Sequence, residues 1–169
     1  MKDVYILGIE SSCDETSVSI VKNGSIEIAT ITNTQIAIHK DFGGVVPEIA
    51  SREHVKNITM IIDECLTMAN MSIDDITAIA VTYGPGLVGS LLVGIEAAKT
   101  LAYVNNKPLV PVNHMSGHIY ANNINNQMKF PLIALVVSGG HTEIIYMEDN
   151  YKFKRLGRTL DDAVGECYD

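Results

Sequence analysis

The chain has 169 residues, 47% of them hydrophobic and 19% charged, and a net charge of −8. That mixture suffices for a buried core and excludes an intrinsically disordered chain. The acidic balance excludes nucleic-acid binding by phosphate electrostatics alone, so any basic surface has to come from a partner or from further sequence.

Cys13, Cys65 and Cys167 are odd in number, widely spaced and form no C-x-x-C. This fits reduced thiols in a cytoplasmic protein, not a disulfide framework. Cys13 falls in a polar loop and is a candidate reactive thiol. The N-terminus runs directly into a strand and has no signal-peptide profile. No apolar run is long enough to span a membrane, so no membrane partner is expected.

In chain order, Val4–Ile9 predicts a buried strand. Glu10-Ser11-Ser12-Cys13-Asp14-Glu15-Thr16 predicts a small polar turn. Ser17–Val21 and Ile26–Thr32 predict two further strands, with Asn23-Gly24 as a two-residue hairpin signal between them. Residues 39–47 predict a loop. Pro47 suits the first turn of a helix that reaches Ala69, with Val55, Ile58, Ile62, Leu66 and Ala69 on its apolar face. Arg52 and His54 are expected on its solvated side. Ser72 is an expected N-cap with Asp74 and Asp75 in the following turn.

Ile76–Tyr83 predicts the next strand. The glycines of Gly84-Pro85-Gly86-Leu87-Val88-Gly89-Ser90 allow the backbone to pass close to a ligand or a neighbouring element. The segment lacks the G-K-[ST] ending of a P-loop. A helix over Leu87–Val104 carries Gly94, Ala97 and Ala98 for close packing on a sheet. Leu109–Val112 predicts a short strand, and a helix opens at His114. Residues 122–127 predict a surface loop. Leu132–Val137, Glu143–Met147 and Lys152–Leu156 predict three more strands, and a helix begins at Asp161.

Ile6–Thr30 and Ala134–Gly157 share one order: strand, small polar loop, strand, turn, strand. The whole chain reads βββαβαβα and then βββα, a repeat with one hydroxyl- or glycine-rich loop in each copy. Backbone amides and hydroxyls of such loops can grip a phosphate from two sides. His114 and His118 are separated by one helical turn, which suits two ligands of one divalent metal.

These segments resemble a known family. The fold implied is α/β, the actin-like ATPase (ASKHA, ribonuclease H-like) fold, with a first lobe over 1–130 and the start of a truncated second lobe over 131–169. Within that fold, residues 8–16, FGGVVPEIASREH at 42–54, YGPGLVGSLLVG at 83–94, NHMSGH at 113–118, VVSGGHT at 136–142 and GRTLDDAVGECYD at 157–169 resemble the tRNA adenosine threonylcarbamoyltransferases. The likeness is to the bacterial branch, a family once called O-sialoglycoprotein endopeptidase. The resemblance implies transfer of threonylcarbamoyl from threonylcarbamoyl-AMP to N6 of the adenosine beside the tRNA anticodon, giving t6A.

By the same resemblance, His114 and His118 are metal ligands, with Fe(2+) favoured over Zn(2+). Val136, Val137, Ser138, Gly139 and Gly140 form the loop that binds ATP or threonylcarbamoyl-AMP, and Asp169 contacts substrate. Glu10, Asp14, Glu15 and His141 are candidate catalytic residues, none assigned. The implied partners are tRNA, an inactive paralogue, the ATPase subunit of the t6A complex, and the threonylcarbamoyl-AMP synthase as supplier. A third metal ligand and the adenine subsite are expected on sequence this chain does not contain, so the chain alone is expected to be inactive.

Three competing readings are weaker. A zincin peptidase needs H-E-x-x-H, and Met115 stands where its glutamate would act. A kinase of the same superfamily explains the phosphate loops but not the histidine pair. The inactive scaffold paralogue lacks the histidine pair and the S-G-G-H-T loop, and this chain keeps both. Spacing gives His39 and His54 no partner.

Overall fold

The computed structural model describes residues 2–138 and 142–160. The strands β1 (Tyr5–Glu10), β2 (Glu15–Lys22) and β3 (Ile26–Thr34) are followed by the helices α1 (Ile36–Lys40) and α2 (Pro47–Met68). Next come β4 (Ala78–Gly84), α3 (Val88–Val104), β5 (Leu109–Asn113) and α4 (His114–Ala121). The strands β6 (Leu132–Val137), β7 (Thr142–Met147) and β8 (Phe153–Arg158) end the described order. The chain divides into two compact units, Met1–Gly117 and His118–Asp169.

The first unit holds a five-stranded sheet in the order β3-β2-β1-β4-β5. β1, β2 and β3 pair antiparallel, while β4 joins β1 and β5 joins β4 in parallel. The parallel pairs are reached through the helical crossovers α2 and α3, as parallel neighbours require. This is the βββαβα unit of the actin-like fold, and it brings the C-terminal ends of β1, β4 and β5 to one edge. The second unit holds a three-stranded antiparallel sheet, β6-β7-β8. Each unit therefore opens with the same meander. The helix expected from Asp161 lies outside the described residues.

Leu7, Ile20, Ile61, Ile76 and Ile79 are fully buried between the sheet and its helices. Each contributes roughly 1.5–3 kcal/mol relative to exposure. On α3, Ser90, Gly94, Ala98 and Ala102 are buried at a spacing of four, a face of small side chains that lets the helix lie close to the sheet. A Cβ on Gly94 would collide with the Ser11 hydroxyl, so the contact needs glycine there.

Four local expectations change. The Asn23-Gly24 signal is right in kind, both residues having positive φ, but the link from β2 to β3 takes three residues, Asn23 to Ser25. Asn23 also bonds Val4 through its amide and its side chain, which ties the turn to the start of β1. The loop expected from residue 39 begins with the end of α1, because His39 is buried and bonded to Gln35 at 3.0 Å. His54 is not on a solvated face. The buried stripe of α2 runs through Ala50, His54, Ile58, Ile61, Ile62 and Cys65. Val55, assigned to the apolar face, is instead 63% exposed. It lines an apolar groove of about 860 Å³ between α2 and α3, with Ile62, Leu66, Leu92 and Leu101.

Pro47 occupies the first turn of α2, and Ser72 forms a reciprocal capping box with Asp75, as their residue types dictate. Among the described residues, no helix is long and apolar enough to cross a membrane.

Candidate functional site

The polar turn between β1 and β2 is fixed from four sides. Three consecutive carbonyls are taken by three different elements. The Leu87 amide donates to the Ser12 oxygen at 2.7 Å, His54 Nε2 to that of Cys13 at 2.9 Å, and the Gln35 amide to that of Asp14 at 3.1 Å. From the fourth side, Ser11 Oγ donates to the Ser90 carbonyl of α3 at 2.8 Å. Gly86 serves this packing: a Cβ there would sit 2.5 Å from the Ser12 oxygen. Its role is approach to a neighbouring element, one of the two uses a glycine there allows.

The hydroxyls of the turn are spent inward. Ser11, Ser12 and Thr16 are all buried. Thr16 Oγ1 lies 2.7 Å from His54 Nδ1, and Ser12 Oγ lies 3.2 Å from His114 Nδ1. The expectation that these hydroxyls grip phosphate is therefore corrected.

His54 has a defined role that spacing did not reveal. Its Nε2–H donates to the Cys13 carbonyl, and its Nδ1 is bonded to the Thr16 hydroxyl. His39 is held the same way. Val46 N–H donates to its Nδ1 at 3.3 Å, and its Nε2–H donates to Gln35 Oε1. Both are buried, His54 by partners distant in sequence and His39 by Gln35 and Val46 close by. Arg52 is exposed and pairs with Glu48 at 2.6 Å, as expected.

Glu10 ends β1 and reaches His114 at the start of α4. His114 Nδ1 lies 3.0 Å from Glu10 Oε2. Thr82 donates to the same oxygen at 2.6 Å, and the Ser12 amide donates to Oε1 at 2.5 Å. Burial opposes ionisation of Glu10, but the bonds from His114, Ser12 and Thr82 outweigh it and hold its carboxyl down to about 2. The Glu10 bond in turn raises the His114 pKa against the effect of its own burial.

The other acidic candidates differ. Glu15 is exposed at the first position of β2, and Asp14 is half-buried in the turn. Cys13 is exposed as a residue, yet burial around its sulfur and then the Asp14 carboxylate push its thiol up to about 11. It is therefore not an activated thiolate, which corrects its standing as a reactive candidate. Cys65 is buried and likewise raised by burial.

In the second unit, His118 and Ser138 line one cavity of about 400 Å³ with Ile119, Val136 and Val137. The structure thus brings one metal-ligand candidate together with three residues of the expected nucleotide loop. Gly139, Gly140, His141, Cys167 and Asp169 lie outside the described residues. Among the described residues, no group of three or more His, Cys, Asp or Glu side chains could hold a metal ion. The donor set on α4 is two imidazoles. That is an incomplete but chemically suitable pair for a borderline divalent cation.

Residues 27–169 match the family model of TsaD, tRNA N6-adenosine threonylcarbamoyltransferase. The chain belongs to this family. The threonylcarbamoyltransferase of Staphylococcus haemolyticus is 60% identical over 168 residues, covering 99% of this chain and 49% of that protein. The chain spans about half the length of the curated relatives it matches. Among solved structures, YeaZ from Pseudomonas aeruginosa is similar with a TM-score of 0.58 and 14% identity, over 92% of this chain and 66% of that one. The ethanolamine utilization protein EutJ from Carboxydothermus hydrogenoformans has a TM-score of 0.55 and 16% identity, over 98% and 54%. Both likenesses speak for the fold of this threonylcarbamoyltransferase-family chain and for nothing finer.

Proposed function

We propose that the protein containing this chain transfers threonylcarbamoyl from threonylcarbamoyl-AMP to N6 of the adenosine beside the tRNA anticodon. The observation that carries this reading is membership of the threonylcarbamoyltransferase family across residues 27–169. The chain supplies the first actin-like lobe, over 1–130, and the opening of the second, over 131–169.

His114 and His118 would hold one divalent metal, with Fe(2+) favoured and Zn(2+) the alternative. Such a metal would supply Lewis-acid polarisation of the phosphate or carbamoyl oxygen. The helical spacing of the two imidazoles on α4 supports the pair. Val136, Val137, Ser138, Gly139 and Gly140 would hold ATP or threonylcarbamoyl-AMP, stabilising the adenylate as leaving group. Asp169 would contact the same substrate. The adenosine amine is a weak nucleophile, so alignment rather than activation is the main task of these loops. Asp14, Glu15 and His141 remain candidates for orienting the threonyl group.

The reading extends to partners. tRNA is the acceptor, and an acidic chain needs help to bind it. The apolar groove between α2 and α3 supports a protein partner, which we assign to the inactive paralogue. The ATPase subunit of the t6A complex joins them, and the threonylcarbamoyl-AMP synthase supplies the donor. The setting is the cytoplasm.

The test is t6A formation in vitro by the full-length protein with its partners. His114→Ala and His118→Ala are each expected to abolish it. Unchanged activity in both variants would overturn the metal assignment.

A further inference from the structure

We infer that Glu10 is the positioning residue of His114, holding its imidazole so that Nε2, not Nδ1, is the nitrogen offered to the metal. The inference rests on the metal reading above and adds to it a specific orientation and a specific cause.

The argument begins with topology. Glu10 and His114 are separated by 104 residues. β4 runs parallel to β1 and to β5, with Ile9 beside Val81 and Thr82 beside Val112. The three strands therefore end at the same level. Glu10 closes β1, Thr82 lies near the end of β4, and His114 follows β5. The three side chains meet because the sheet ends there.

The chemistry follows from the bonds. Glu10 accepts from the Ser12 amide, from the Thr82 hydroxyl and from His114. An ionised carboxylate only accepts, so the ring proton of His114 sits on Nδ1 and the lone pair on Nε2. A histidine ligand whose second nitrogen donates to a carboxylate is fixed in tautomer and ring orientation, and it becomes a stronger donor to the metal. Bonded to the imidazole in this way, Glu10 acts through His114. Thr82 and Ser12 are the props of Glu10, which makes the arrangement two layers deep.

The experiment measures Zn(2+) affinity of the metal-free full-length protein by competition with a chromophoric chelator. His114→Ala is the control for the metal reading. If it binds Zn(2+) like the wild type, that reading fails at the outset. If His114→Ala loses the metal, Glu10→Gln is expected to weaken Zn(2+) binding about 10–100-fold. Binding by Glu10→Gln equal to that of the wild type would overturn the present inference and leave the metal reading standing. A second measurement needs no variant of Glu10. Long-range nitrogen–proton NMR of the Zn(2+)-loaded wild type is expected to show His114 protonated on Nδ1 and ligated through Nε2. Ligation through Nδ1 would overturn the inference regardless of how any variant folds.

Discussion

His54 donates from Nε2 to the carbonyl of Cys13 at 2.9 Å, tying α2 to the tip of the β1–β2 turn across 41 residues of sequence. The ring is fully buried and spends its other nitrogen on Thr16. His54→Ala would leave a part-buried carbonyl and a buried hydroxyl without this partner, and a cavity besides. We expect a loss of about 2–4 kcal/mol, read as a lower urea midpoint of the full-length protein. Arg52→Ala on the exposed side of the same helix removes only a surface pair. It should stay within about 0.5 kcal/mol of the wild type. Equal effects of the two substitutions would refute the buried bridge.

Gly86 and Gly117 predict opposite outcomes for the same substitution. A Cβ on Gly86 meets the Ser12 backbone at 2.5 Å, and backbone cannot swing aside. Gly86→Ala should cost about 1–3 kcal/mol and displace the β1–β2 turn. Nothing lies within 4 Å of a Cβ on Gly117, which sits inside α4. Gly117→Ala should therefore stabilise by up to about 1 kcal/mol through helix propensity. Thermal unfolding of both variants decides the pair.

Cys13 should alkylate slowly at neutral pH despite its exposure. With the thiol pushed up to about 11, only about one in a thousand is ionised at pH 8. Iodoacetamide labelling of the Cys13 peptide, followed by mass spectrometry, should keep accelerating beyond pH 10. A plateau near pH 9 would show an ordinary thiol.

Glu10 gives a pH dependence of defined sign. Its folded pKa, about 2, lies below its ordinary value of 4.5. Its stabilising contribution is thus complete above about 4.5 and lost as pH falls through about 2. His114 is raised above 6.5, so its contribution is complete below 6.5 and fades as pH rises through the higher value. In metal-free full-length protein, the difference in urea midpoint between wild type and Glu10→Gln should be largest between about pH 4.5 and 6.5. It should shrink on both sides of that window. A difference that grows below pH 4 would contradict the bonded carboxylate.

Much of the fold was legible in periodicity and local chemistry. The alternation of Ser17–Val21, the Asn23-Gly24 turn, Pro47 and the Ser72 cap each act through neighbours a few residues away. The repeated meander was legible for the same reason. α1 was not, because its short helix depends on His39 finding Gln35 and Val46 in a buried cluster. The exposure of Val55 was misread because α2 has two apolar edges, one on the sheet and one on the groove with α3.

The site divides the same way. The sequence by itself named the candidates: the histidine pair of α4, the acidic turn and the glycine-rich loop. It also determined the family. Only the tertiary structure decided what each is bonded to. It turned the hydroxyls of Ser11, Ser12 and Thr16 inward, made His54 a buried bridge, raised the Cys13 thiol and set Glu10 against His114. The physical reason is distance along the chain. Helix and strand patterns are written by contacts a few residues apart, whereas Glu10 and His114 meet across 104 residues because parallel strands end at one level.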